Sequence, residues 1–175
     1  MLSVIKEIIS ESFSGGKFQK NLKHHIFQSL LTFICVGIAL LMHEFFGGII
    51  VASLGASSCI IFITPHTNAS KARCVVGGYV CGSIAGLLLG FLHRYVSSLG
   101  FYGQETALLI VCAASSAFCI FLMITSGLVH PPSAALALGL AADRENYKTA
   151  LAAILGVMIL CAARRLLRKY IKDLI

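Results

Sequence analysis

A histidine followed by two prolines ends the longest apolar stretch of this 175-residue chain. Pro131 has no N–H group, and each proline disfavours a helical conformation in the residue before it, so we expect an extended step here. Pro132 can occupy the first turn of a new helix, whose N–H groups and Ser133 hydroxyl would attract an anion. His130 adds a donor that titrates near neutral pH. A plain helix break capped by His130 explains the same residues equally well.

A patch of small residues and hydroxyls, Gly55-Ala56-Ser57-Ser58, lies inside another apolar stretch. Its serines could line a constriction, or they could bond carbonyls of their own helix. The polar residues 65–73 either form a solvated loop or concentrate anions in front of a pore. The candidate substrate or pore residues are His130, Pro131, Pro132, Ser133, Gly55, Ala56, Ser57, Ser58, Lys71 and Arg73.

Enzyme and metal chemistry have no comparable support in the sequence. No HExxH, GxSxG, P-loop or GxGxxG motif occurs in a usable context. Glu44 and Glu105 fall at the predicted ends of apolar stretches, where interfacial positions explain them better than a proton relay. The seven cysteines form no CxxC motif and are interpreted as small apolar residues of helices. We therefore predict no enzyme activity, no cofactor and no metal.

The composition is that of a membrane protein. Hydrophobic residues make up 58% of the chain, charged residues make up 12%, and the mean hydropathy is +0.90. A soluble domain carries about 25% charged residues. Because one small core cannot bury so much apolar surface, we predict an all-α integral membrane protein with about five or six crossings.

The net charge of +7 is concentrated on both sides of the apolar stretches. Four lysines between Lys6 and Lys23 precede the first stretch, and five basic residues between Arg164 and Lys172 follow the last. A nucleic-acid-binding protein would spread such charge over one soluble face, so the predicted partner is the lipid bilayer and not nucleic acid. The positive-inside rule predicts that both termini are cytoplasmic, in what we expect to be a bacterial inner membrane.

The apolar stretches predict about five full transmembrane helices plus a short helix after the His-Pro-Pro motif. An upright crossing needs about 20 residues, which the stretch after the prolines does not supply. Residues 24–175 form the predicted transmembrane domain, and residues 1–23 form either an amphipathic segment at the membrane interface or a frayed tail. The stretches are 26–42, 45–64, 74–92, 106–129, 133–142 and 149–163.

In each half of the chain, 24–95 and 104–170, two long segments flank a middle segment. The middle segment is patterned with small residues and hydroxyls in the first half and is short in the second. With three crossings in each half, the second half would be inverted relative to the first, as in many transporters whose short or broken helices meet at the binding site. If 133–142 is re-entrant instead, the basic C-terminus ends outside, against the charge rule. With six segments, residues 65–73 and the His-Pro-Pro motif face each other at the cytoplasmic side.

Glycines recur every four residues in the third stretch and therefore lie along one helix face. In lipid such a face allows close packing of backbones, which we favour over a pore lined by bare backbone. A chain this small is also expected to form a homo-oligomer. The glycines are Gly78, Gly82, Gly86 and Gly90.

Taken in order, these motifs resemble the HPP family of integral membrane proteins over about residues 25–165. The matching residues are Gly55-Ala56-Ser57-Ser58, Phe62, Pro65, Arg73, Val76-Gly77-Gly78 and the run from His130 to Ala137. The resemblance implies a multi-span membrane protein, and family members of chloroplasts and cyanobacteria are associated with nitrite transport. This chain departs from the family at residues 71–74, where Gln-Pro-Arg-Asn is frequent, and at Tyr79, where His is frequent.

We therefore predict a transporter or channel for a small inorganic anion, nitrite or a similar one. The alternative is a non-transporting membrane scaffold or assembly subunit, which the glycine face and the small size of the chain also fit. A membrane-embedded enzyme ranks third, because the titratable residues are scattered. A polar site at the bilayer midplane would favour transport over scaffolding.

Overall fold

The computed structural model of the protein describes residues 16–41, 48–98, 104–143 and 146–174. These residues form six α-helices and one 3-10 turn, Asn68–Ser70, and they contain no β-strand. The helices are α1 (Gly16–Leu41), α2 (Gly48–Ile63), α3 (Ala72–Ser98), α4 (Gln104–Ser126), α5 (Pro132–Ala142) and α6 (Asn146–Leu167).

The prediction of an all-α membrane protein is confirmed. Helices α1, α3, α4 and α6 are long and apolar enough to cross a bilayer, whereas α2 and α5 are shorter apolar helices. The predicted short helix after the His-Pro-Pro motif is α5, with 11 residues. Large apolar side chains such as Phe33, Leu109 and Ile159 are at least 70% exposed on the outside of the bundle, where lipid would cover them.

The predicted segment 1–23 lies mostly outside the described residues. Its described part, from Gly16 onward, belongs to α1, which continues without interruption into the first apolar stretch. Helix α1 therefore contains three lysines of the predicted N-terminal segment, Lys17, Lys20 and Lys23.

Helix α4 ends earlier than the apolar stretch 106–129 because of Gly127. This glycine has a φ of +65°, a left-handed conformation that glycine adopts without steric cost. The Gly127 N–H donates to Ile124 O at 3.2 Å, and the Leu128 N–H donates to Met123 O at 3.0 Å. These two bonds form a Schellman C-cap, which turns the chain into the bundle before His130.

Helices α3 and α5 are parallel and very close. A Cβ atom on Gly82 would lie 2.5 Å from the Ser133 carbonyl oxygen, and one on Gly86 would lie 2.6 Å from that of Ala137. Gly90 faces Ala141 in the same register. Each step of four residues along α3 is thus matched by four along α5, so α5 runs in the same direction as α3 rather than turning back.

Contacts between distant segments bring several connections of the chain together at one end of the bundle. The Leu174 N–H donates to Ile63 O at 3.0 Å, and Arg164 Nε donates to Pro65 O at 3.1 Å. Ala69 O lies 2.8 Å from His130 Nδ1. We call this end, which contains residues 65–73, 127–131 and 164–174, the basic end. At the opposite end, Arg94 Nη1 donates to Asp143 O at 3.3 Å.

Candidate functional site

His130 is completely buried below the basic end, with a partner for each ring nitrogen. Nδ1 lies 2.8 Å from Ala69 O, and Nε2 lies 2.9 Å from Ser57 Oγ. A carbonyl oxygen can only accept, so Nδ1 carries the hydrogen. In the neutral ring Nε2 is then an acceptor, and the Ser57 hydroxyl donates to it. The His130 N–H faces Met123 Sδ at 3.4 Å.

The hydrogen bonds continue from Ser57 into the bundle through a tyrosine. Tyr79 Oη lies 2.8 Å from Ser57 Oγ and also accepts from Ser53 Oγ at 2.8 Å. The Ser53 hydroxyl has a second acceptor in Pro132 O, at 3.3 Å. The rings of Tyr79 and His130 are 5.9 Å apart between centroids. We call Ser53, Ser57, Tyr79 and His130 the buried polar cluster.

Three elements position the buried polar cluster. Ser53 and Ser57 are one turn apart on α2, so both hydroxyls face the same side of that helix. Tyr79 lies seven residues into α3, about 10 Å along its axis, within a hydrocarbon layer of about 30 Å. His130 is supplied by the connection between α4 and α5. Apolar side chains, including Val75, Leu136 and Val157, form a common core with Tyr79, so these hydrogen bonds lie in a low-dielectric environment.

Of the predicted site residues, the structure brings Ser57, His130 and Pro132 together. Ser133 is adjacent and buried, and its Oγ has no hydrogen-bond partner among the described residues. This oxygen lies against α3, where a Cβ on Gly78 would be 2.7 Å from it.

The other predicted residues of α2 and Pro131 lie apart from the buried polar cluster. Ser58 is buried but donates to Gly55 O of its own helix at 2.8 Å. Gly55 faces Val36 of α1. Ala56 and Pro131 are exposed. The four residues predicted as one patch therefore point in different directions around α2.

The start of α5 differs from the expected anion-binding helix end. Pro131 is in the right-handed helical region, with φ −52° and ψ −37°, so the expected extended step is wrong at this residue. The Ser133 N–H donates to His130 O at 3.0 Å, and the Ala134 N–H donates to Pro131 O at 3.1 Å. These bonds stabilise the turn from His130 to Ala134 and engage both N–H groups. Because the prolines have no N–H, the donors that remain here for a ligand are side chains.

A basic cleft of about 440 Å³ opens at the basic end, between the connection from α2 to α3 and the last turns of α6. Lys71 lines it, whereas Arg73 is exposed on the first turn of α3. The 3-10 turn joins the cleft to the buried polar cluster, because Ala69 O bonds His130 and the next residues border the cleft. The lining residues are His66, Lys71, Ala72, Cys161, Arg164, Arg165 and Arg168.

Tyr79 and Ser53 are the cluster residues that sequence reasoning missed. Ser53 precedes Ser57 by one helical turn, and Tyr79 precedes Gly82 by three residues, which places it on the side of α3 that faces α5. Both spacings are visible in the sequence. The informative signal was the shared helical face and not the contiguous motif Gly55-Ala56-Ser57-Ser58.

One family model matches nearly the whole chain. It is described as HPP, transmembrane region, and it covers residues 17–172. A search of curated proteins and a search of solved structures found no match.

Proposed function

Because the chain belongs to the HPP transmembrane family, we propose that it transports a small inorganic anion, nitrite or one of similar size, across the membrane. The observation that carries this proposal is the buried polar cluster, which lies where α2 and α5 pack together in an apolar core. Short helices from the two halves of a transporter typically meet at its substrate site. Within such a core, hydroxyls and an imidazole supply the hydrogen bonds that a partly dehydrated anion needs.

The basic cleft supports the proposal by providing an approach for anions. Lys71, two arginines of α6 and Arg168 just after that helix line it, and such a concentration of positive charge raises the local concentration of small anions. Arg164 is held at Pro65 O by its Nε and by a second, shorter bond from its terminal nitrogen. An anion that leaves the cleft meets the 3-10 turn, with His130 directly behind it.

The conformation described here is closed around the cluster. Ser53, Ser57, Tyr79 and His130 are each fully buried, so an anion reaches them only when neighbouring elements separate. The Ala69–His130 bond joins the 3-10 turn to the connection before α5 and acts as the gate on the side of the basic end. The proposed mechanism is therefore alternating access rather than a permanently open pore.

We also propose that the basic end faces the cytoplasm, with both termini on that side, and that the protein functions as a homo-oligomer. The charges at this end, including Arg73, Arg165 and Arg168, are exposed and lie beside the ends of apolar helices, as the positive-inside rule requires. A reporter fused after residue 175 and active only in the cytoplasm tests the orientation. Activity of a periplasmic reporter at this position would reverse it.

The test of transport is an anion flux measurement in liposomes with the purified protein. Nitrite, nitrate, formate and chloride are compared at equal gradients, with protein-free liposomes as the background. We expect nitrite flux well above that background and weaker flux of chloride, which lacks the oxygen acceptors of the other anions. Flux at the background level for all four anions would contradict the proposal.

The scaffold alternative is favoured by one observation, the contact of the α3 glycines with the α5 backbone. A scaffold has no need to separate these helices. Under that alternative, a disulfide introduced between α3 and α5 leaves the function of the protein intact, whereas alternating access predicts that a cross-link restraining α5 stops flux.

A further inference from the structure

We propose that the anion is transported together with one proton, which the hydroxyls of Ser53, Tyr79 and Ser57 deliver to His130. The inference rests on the proposed function and adds the coupling ion and its route. Four groups from three elements form one continuous chain of hydrogen bonds, each between 2.8 and 2.9 Å long.

In the neutral state, all the hydrogen bonds of this chain have the same direction. Because Nδ1 of His130 donates to Ala69 O, its Nε2 must accept from Ser57. The Ser57 oxygen then accepts from Tyr79, and Tyr79 accepts from Ser53. Hydroxyls aligned in one direction are the arrangement that passes a proton by successive short transfers.

Protonation of His130 reverses that direction and leaves each oxygen with a proton. Ser57 gives its proton to Nε2 and takes that of Tyr79, and Tyr79 takes that of Ser53. The Ser53 oxygen receives a proton from a hydronium ion or from the acid form of the substrate, which leaves as water or as the anion. The net change is one proton lost by that acid and one N–H bond formed at Nε2. The new Ser53 proton then has Pro132 O as its acceptor, at 3.3 Å.

The surroundings of His130 explain why an anion and a proton would bind together. The groups that face the ring or its backbone are Ser57 from α2, Tyr79 from α3, Met123 from α4 and Ala69 O from the 3-10 turn. Of these groups only Tyr79 titrates, and none carries a negative charge at neutral pH. A buried imidazolium without a counter-charge is strongly disfavoured. A monovalent anion beside His130 supplies that charge, and the proton in turn stabilises the anion.

The unpaired hydroxyl of Ser133 is an additional donor for such an anion. Its Oγ is buried without a partner among the described residues and lies close to the His130 side chain, since both would contact a Cβ on Gly78. An anion held between Ser133 and an imidazolium at residue 130 forms a neutral pair. Proton and anion then cross together without net movement of charge.

The test measures anion and proton fluxes together, in nitrite-loaded liposomes that contain a trapped pH indicator and a potassium-clamped membrane potential. Protein-free liposomes give the background, because nitrous acid crosses lipid unaided. For the unchanged protein we expect one proton per nitrite and a rate independent of the membrane potential. Tyr79→Phe keeps the ring but breaks the chain, so we expect at least a tenfold slower flux and a rate that depends on the potential.

The control for Tyr79→Phe is Ser115→Ala, which removes a buried hydroxyl that bonds only its own helix, at Cys112 O. The Ser115→Ala protein should still transport one proton per nitrite. Nitrite flux without proton movement would overturn the inference and leave the proposed function standing. A Tyr79→Phe protein with the parental nitrite flux and the parental proton-to-nitrite ratio would do the same. Absence of protein-dependent nitrite flux would overturn the proposed function itself.

A spectroscopic measurement tests the relay independently of transport. In protein labelled with ¹⁵N-histidine, the signal that His130→Gln removes should show a neutral ring with hydrogen on Nδ1. Addition of nitrite at neutral pH should convert it to the imidazolium signal. A His130 signal that nitrite leaves unchanged would overturn the inference even if flux were observed.

Discussion

At the scale of single residues, Tyr79 is the central link of the buried polar cluster. Its hydroxyl joins both serines of α2, whereas the family resemblance implies that histidine is frequent at this position. An imidazole can also donate and accept, although it is shorter than tyrosine. We therefore predict that Tyr79→His retains more nitrite flux than Tyr79→Phe in liposomes. Equal rates for the two variants would contradict this prediction, because they would show that an imidazole at this position supports no more flux than a phenyl ring.

The sequence identified His130 and Ser57 as candidates because each belongs to a recognisable local motif. It did not identify Tyr79, since the partners of its hydroxyl lie 26 and 22 residues away in the chain. The bond from Ser57 to His130 joins residues separated by 73 positions. Convergence over such distances depends on how the helices pack, which local patterns do not encode. The engaged N–H groups at the start of α5 were missed for a related reason, because they depend on the conformation of Pro131.

At the scale of elements, the close approach of α3 to α5 determines where Tyr79 and His130 lie. A Cβ at Gly82 would come within 2.5 Å of the Ser133 backbone, so we predict that Gly82→Ala destabilises the protein by about 1–3 kcal/mol. Gly37 in α1 has no atom within 4 Å of such a Cβ, so Gly37→Ala should stabilise it by about 0.5–1 kcal/mol. Thermal unfolding in detergent measures both. A Gly82→Ala protein as stable as the parent would contradict the close packing.

The C-terminal tail is attached to the middle of α1 and the end of α2 by one buried amide. Gln28 Nε2 donates to Lys172 O at 2.7 Å and to Phe62 O. We predict that Gln28→Leu lowers stability by about 1–3 kcal/mol, because two carbonyls lose their donor. Asp173→Asn should cost less than about 1 kcal/mol, since the His66–Asp173 pair is partly exposed. The reverse order of the two melting temperatures would contradict this interpretation of the tail.

At the scale of the whole molecule, the described helices repeat the order long, short, long in the two halves. Their contacts correspond as well: α1 packs on α2 as α4 packs on α5, and α2 packs on α6 as α5 packs on α3. We predict that an experimental structure will show α1–α3 superposing on α4–α6 about an axis in the membrane plane. Halves related by an axis along the membrane normal, or by none, would contradict an inverted repeat.

The sequence predicted this architecture well because its signals are local. Runs of apolar residues set the helices, and charged or proline-containing connections such as residues 65–73 separate them. The same patterns left the ends uncertain: the stretch 106–129 runs past Gly127, where the helix stops. The sequence also left open the direction of 133–142, which the register of its contacts with α3 shows to be parallel to that helix.

Nitrite flux in Ser57→Ala tests most directly whether the buried polar cluster is the transport site. Ser57 joins Tyr79 to His130, whereas Ser115 is an equally buried serine that bonds only a carbonyl of α4. One hydrogen bond contributes about 1.4 kcal/mol, which corresponds to about a tenfold change. We predict nitrite flux at least about tenfold lower in Ser57→Ala, with flux in Ser115→Ala equal to that of the parent, both at matched protein content. Parental flux in a folded Ser57→Ala protein would contradict the assignment of this cluster as the site.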